Sequence, residues 1–182
     1  MSTYHHGDLP GVLLSAAAEI LDEQGLEGLS LREAARRAGV SHSAPYRHFP
    51  DRESLLAELA AQGFRDLGEA LSGKRGREMG EAYIRFALAH PNRFRLMFGG
   101  RLELKRHASL EAASSATYEA LVAAFRTQPE IANAEKAAAA AWSLVHGLAQ
   151  LLLDGHFARQ AADAGAFVHD VIGAVRFASR PA

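Results

Sequence analysis

The sequence predicts an all-α protein, with an N-terminal three-helix helix-turn-helix unit followed by a larger helical region. Three observations carry this. Alanine, leucine, glutamate and arginine are abundant and β-branched residues few, which favours helix. Apolar residues recur at three- and four-residue spacing along the chain, and no run alternates as a half-buried strand would. Between residues 30 and 51, cap and stop signals follow one another closely enough to mark short helices joined by a tight turn.

The first helix is predicted from Leu9, Leu13, Ala17, Ile20 and Leu21, with Gly25 as its stop. Ser30 and Glu33 form an S-x-x-E capping box, which opens a second helix running to about Ala38 and ending at Gly39. A very short third helix is expected to reach about His48, capped by Ser41 or Ser43. Pro45 within it implies a late or tight start, because proline has no N–H to give. Asp51 caps a longer helix to about Leu71, and "SGKRGREMG" is the clearest linker. Further helices are expected over about 77–90, from Pro91 to the Gly99–Gly100 pair, and over about 104–126.

The last two helices make a further demand. Residues 137–153 are apolar nearly all round, leaving a stripe of Ser143, His146 and Gln150 continued by Asp154. The terminal segment carries Phe167, Val168, Val171, Ile172, Val175 and Ala178 opposite His169 and Arg176. Faces this wide need covering, and pairing of these two helices with a second copy of the chain is the expected solution.

Composition narrows the function. The chain of 182 residues has 48% hydrophobic and 23% charged residues, the profile of a soluble globular protein. With no cysteine, it has no disulfide, Cys-ligated zinc or thiol catalysis, which fits a cytoplasmic location. No secretory signal is expected at the N-terminus and no membrane-spanning segment anywhere. The nine histidines include no H-x-x-x-H or H-E-x-x-H pair, so no enzyme activity, metal site or cofactor is expected. The net charge is −1, but it is unevenly spread. Residues 1–29 carry five acids and no Lys or Arg, whereas residues 30–52 carry Arg32, Arg36, Arg37, Arg47 and Arg52 against Glu33 and Asp51. A local basic cluster in a neutral chain suggests a small anionic contact area.

A short helix, a glycine turn and a second short helix, with Ala35 and Ala38 allowing close approach, is helix-turn-helix geometry. The second helix then projects polar side chains outward and fits the major groove of B-DNA. The run "GLSLREAARRAGVSHSAPYRHFPDRESLLAEL" closely resembles the DNA-binding domain of the TetR/AcrR family of transcriptional regulators, whose members often also open with "YHHGDL". "HPNRFRLMF" and "WSLVHGLAQLLLDG" resemble the ligand-binding domain of the WHG subgroup, through Trp142, His146 and Gly147.

The resemblance implies a homodimer of about nine helices per chain, with a DNA-binding domain over residues 1–52 and an effector-binding and dimerisation domain over 53–182. Its partners would be a palindromic double-stranded operator and a small-molecule effector. Arg32 matches a position that reaches a guanine edge, and His42, Ser43 and Ala44 match the base-reading start of the recognition helix. Tyr46 and His48 match positions that touch phosphate or sugar, and Arg52 matches a backbone-contacting lysine. Arg36, Arg37 and Arg47 match no role and read as a solvated face. Tyr4, His5 and His6 are candidates for a flanking arm. Two departures bear on the pose: Pro45 stands where relatives carry an aliphatic residue, and Ala34 where they often carry a larger one.

In the second domain Tyr83, Phe86, Phe94, Met97, Phe98, Tyr118, Phe125 and Trp142 have core-like spacing, and together they can line an apolar cavity. His146 either orients a polar effector group or hydrogen-bonds within the dimer interface. Two other readings stay open: a metal or haem sensor on the same fold, and a helical dimerisation module without DNA binding.

Overall fold

The structure, a computed structural model, describes residues 8–157 and 164–175. Tyr4, His5, His6, Arg176 and Ala178 lie outside these. Among the described residues eight α-helices appear, α1 (Leu9–Gly28), α2 (Leu31–Arg37), α3 (Arg52–Leu71), α4 (Gly76–Ala89), α5 (Pro91–Phe98), α6 (Ala108–Arg126), α7 (Ala134–Leu153) and α8 (Ala164–Ala174), with 3₁₀ turns at Pro45–Arg47 and Leu104–Arg106. No strand occurs among the described residues. The fold is all-helical, as the sequence predicts.

Two compact units emerge. One comprises the chain up to Phe64 together with Asn92–Ala113, and the other Arg65–Pro91 with the chain from Ser114 onward.

In the first unit α1 packs on α2, and α2 on the Pro45 turn. Leu13, Ala17, Ile20, Leu21, Leu29, Leu55 and Phe94 are almost wholly buried there. Asn92 donates its side-chain amide to the carbonyl of Leu21 at 2.9 Å, and Arg93 reaches the Asp22 carboxylate at 3.3 Å. Residues remote in sequence thus close on the back of α1.

The first helical run of α1 stops at Gly25, as expected, with φ 70° and ψ −171°, and a further turn carries the element on to Gly28. That conformation is open essentially to glycine alone.

In the second unit α4 packs against α7 and α8. Ile84, Ala87, Leu148, Ala149 and Val168 supply its buried contacts, and Val122, Phe125 and Ala138 form a second cluster under Tyr118 and Leu121. The stretch expected to begin a helix at Leu104 is a separate 3₁₀ turn, and α6 starts only at Ala108. Among the described residues no helix is long and apolar enough to cross a membrane.

Candidate nucleic-acid interface and effector site

Ser30 accepts a hydrogen bond from the Glu33 N–H at 3.1 Å and so caps α2. The reciprocal half of the expected box is not made, because the Glu33 carboxylate turns to Arg36 at 2.8 and 2.5 Å. Helix α2 ends in a Schellman closure. Gly39, at φ 69°, donates to the Arg36 carbonyl at 3.2 Å and Val40 to the Ala35 carbonyl at 3.0 Å. The left-handed residue turns the chain by a tight angle into the segment that follows.

That segment is a short 3₁₀ turn, the late and tight start that Pro45 implies. Ala44 donates to the Ser41 carbonyl, Arg47 to that of Ala44 and His48 to that of Pro45, all three residues back. Neither serine side chain caps it. Pro45 stands at the first position of the 3₁₀ turn, where a missing N–H costs nothing, and its ring is fully buried with Phe49 beneath the turn.

The buried proline and phenylalanine leave His42, Ser43, Tyr46, Arg47 and His48 exposed and Ala44 half-buried. Tyr46 is 50% exposed, unusual for a tyrosine without a task in the core. Arg32 is exposed on α2, and neither it nor Arg47 makes an ion pair or side-chain hydrogen bond among the described residues.

The other arginines of the basic cluster are committed. Arg36 holds Glu33, and Arg37 holds Glu23 at 2.7 Å, tying α2 to α1. Those hydrogen bonds keep both carboxyls below the usual glutamate range. Arg52 bonds inward, through Nε to the Leu29 carbonyl at 2.7 Å and through a terminal nitrogen to that of Leu26 at 2.5 Å. It therefore ties off the end of α1. Sequence reasoning missed this second task, whose only signal was the glycine-rich stretch before Leu29. Asp51 caps α3 as expected, taking the Ser54 N–H and hydroxyl at 2.7 Å each.

The nine candidate effector residues fall in two places. Phe94, Met97 and Phe98 belong to the first unit, where Phe98 meets Phe94 at 4.8 Å and Phe64 at 5.1 Å between ring centres. Tyr83, Phe86, Tyr118, Phe125, Trp142 and His146 belong to the second. There the Tyr118 and Trp142 rings meet tilted by 39° at 5.6 Å between centres, and Phe125 joins the Val122 cluster.

Three of these residues form a hydrogen-bonded chain. Trp142 Nε1–H donates to the Tyr83 hydroxyl at 3.1 Å, and the phenol in turn lies 2.9 Å from His146 Nδ1. Burial lowers the His146 pKa below its ordinary value and pushes the Tyr83 phenol far up, so both are neutral at pH 7. Among the described residues no group of three or more His, Asp or Glu side chains gathers as a metal would require.

Two family models match the chain: bacterial regulatory proteins, tetR family, over residues 13–59, and the tetracyclin repressor-like C-terminal domain over residues 77–175. The chain is 28% identical over 88 residues to the uncharacterized HTH-type transcriptional regulator YobS of Bacillus subtilis, covering 44% of this chain and 46% of that protein. It is 41% identical over 51 residues to tetracycline repressor protein class A from transposon 1721 of Escherichia coli, covering 28% and 24% of the two chains. The matched stretches thus span less than half of these curated relatives. A solved structure of a protein of unknown function from Rhodococcus sp. RHA1 superposes with a TM-score of 0.74 at 35% identity, covering 96% of this chain and 94% of that one. The TetR family transcriptional regulator PfmR from Thermus thermophilus gives 0.57 at 26% identity, covering 88% and 96%. With both halves matched and the helix-turn-helix in place, the chain belongs to the TetR family of DNA-binding transcriptional regulators.

Proposed function

We propose that the protein is a ligand-responsive repressor that binds a palindromic operator as a homodimer, with a reading domain over residues 1–52 and an effector and dimerisation domain over 53–182. The observation that carries this reading is the exposed face of the Pro45 turn. A buried proline and phenylalanine leave His42, Ser43, Tyr46, Arg47 and His48 outward, and Arg32 is exposed on α2, which packs on this turn. On this reading Arg32, His42, Ser43 and Ala44 meet base edges, while Tyr46, His48 and the remaining nitrogen of Arg52 meet the backbone.

In the second unit, the aromatic wall around Tyr83, Trp142 and His146 takes the effector, a small molecule with an apolar body. Repression is relieved if the effector prefers the conformation that does not fit the operator. The class A tetracycline repressor among the matched relatives supports repression over activation.

Selection of bound duplexes from a randomised pool by the purified protein tests the reading, followed by gel shifts with two variants. Arg32→Ala is expected to relax base preference by about 1–3 kcal/mol at one position of each half-site. Arg52→Ala is expected to weaken binding to all sequences alike and to lower the salt slope. It should also cost about 1 kcal/mol of stability through its two lost carbonyl bonds. Equal losses of specificity from both variants contradict this division of roles.

A further inference from the structure

The basic loop between α5 and α6 lies in the same compact unit as the helix-turn-helix, although it is some fifty residues away in sequence. It runs Gly99-Gly100-Arg101-Leu102-Glu103-Leu104-Lys105-Arg106-His107. Arg101, Lys105 and Arg106 are all exposed, with Glu103 the single acid among them.

The loop is pinned at the start of α3. His107, only 17% exposed, meets Glu53 at 3.1 Å, and Arg106 approaches the same oxygen at 3.9 Å. Glu53 directly follows Asp51 and Arg52, the residues that lead out of the reading turn. Asp51 itself is held below the usual carboxylate range first by the Ser54 amide, then by the Ser54 hydroxyl, with a smaller contribution from His107. Arg106 is partly spent on Glu53 and on Glu103 at 3.8 Å, so it acts as the tether. Arg101 and Lys105 make no ion pair or side-chain hydrogen bond among the described residues.

The charge balance of the reading unit gives this loop a purpose. Arg36 and Arg37 are neutralised by glutamates and Arg52 is turned to carbonyls, which leaves Arg32 and Arg47 as the uncommitted arginines of the basic cluster. Duplex binding draws its affinity from phosphates neutralised by Lys and Arg, and several contacts are needed to hold a site at physiological salt.

We propose that the 101–106 loop is a second phosphate-contacting element of the reading unit, with Arg101 and Lys105 gripping the DNA backbone alongside the Pro45 turn. The proposal rests on the DNA-binding reading above and adds to it a surface outside the helix-turn-helix. Phosphate contacts of this kind raise affinity for every sequence and read none.

The test uses the full chain and the duplex that the wild type selects from a randomised pool. Affinity is measured across salt concentrations for wild type, Arg101→Ala/Lys105→Ala, and a charge-matched control in the other unit, Arg75→Ala/Lys136→Ala. Each lost phosphate contact lowers the slope of log K against log salt by about 0.9. The loop variant is therefore expected to lose about two per bound protomer, with base preference and Tm unchanged, while the control keeps the wild-type slope. An unchanged slope in the loop variant, or an equal loss in the control, overturns the proposal. A shift in base preference does so too, since the loop would then touch bases. If the wild type enriches no duplex at all, the DNA-binding reading fails first and the loop proposal falls with it.

Discussion

His146, its Nδ1 2.9 Å from the Tyr83 hydroxyl, sits in surroundings that oppose its charging. Burial lowers its folded pKa below the ordinary 6.5, so as pH falls the unfolded chain takes up its proton first. The stability that neutral His146 contributes is complete above about 6.5 and is lost as pH drops from there toward the folded value. Urea unfolding near pH 7.5 and pH 5.5 should therefore show a larger loss for wild type than for His146→Gln. An equal loss in the two proteins would remove His146 from the acid sensitivity of the fold. Tyr83 and His146 are 63 residues apart, so no periodicity in the sequence pairs them. Each was legible only as a core-like aromatic or a residue on a polar stripe. The exposed positions of the reading turn were easier to find, because their neighbours Pro45 and Phe49 are apolar and their own side chains are not. Arg52 was legible as a cation at a helix start, but its carbonyl partners depend on how α1 ends.

At the scale of elements, the end of α1 is set by one residue. Gly25 breaks the helix in a conformation that non-glycine residues adopt at a cost of about 1–3 kcal/mol, although an added Cβ would meet nothing within 4 Å. The strain is thus in the backbone and not in packing. Because the break aims the last turn, and with it the Leu26 and Leu29 carbonyls, at Arg52, Gly25→Ala should do more than destabilise. A fall in Tm of about 2–4 °C per kcal/mol is expected, together with weaker operator binding even where the protein remains folded. Full operator affinity in a folded Gly25→Ala protein would uncouple the α1 end from the reading turn. Helix starts at Ser30, Asp51 and Pro91 were legible because cap chemistry is local in sequence. The tight turn at Pro45 was legible too, from the missing N–H of the proline. The late start of α6 at Ala108 was not, because it depends on the His107–Glu53 contact, remote in sequence.

For the whole molecule, the division of α7 into two faces bears on assembly. Ala138, Val145, Leu148 and Ala149 are buried, α7 packing on α4. Nearly half a turn away, Ala140, Ser143, Gly147 and Leu151 share a face on which Leu151 is 42% exposed and the space before Gly147 is open. Ser143 satisfies its own hydroxyl on the Ala139 carbonyl at 2.8 Å, so this face presents small and apolar surface without a polar cost. Such a face is what the proposed homodimer requires, since a stable interface buries roughly 800 Å² on each partner and has an apolar centre. A carboxylate placed at that centre would meet its own copy across the two-fold axis, unpaired and desolvated. Leu151→Glu is therefore expected to sediment as a monomer at micromolar concentration with unchanged helix content. Because two tethered half-sites bind about 10²–10⁴ times more tightly than one, its operator affinity should fall by at least about a hundredfold, while affinity for a single half-site stays as in the wild type. A dimeric Leu151→Glu protein that keeps its operator affinity would move the interface off this face of α7.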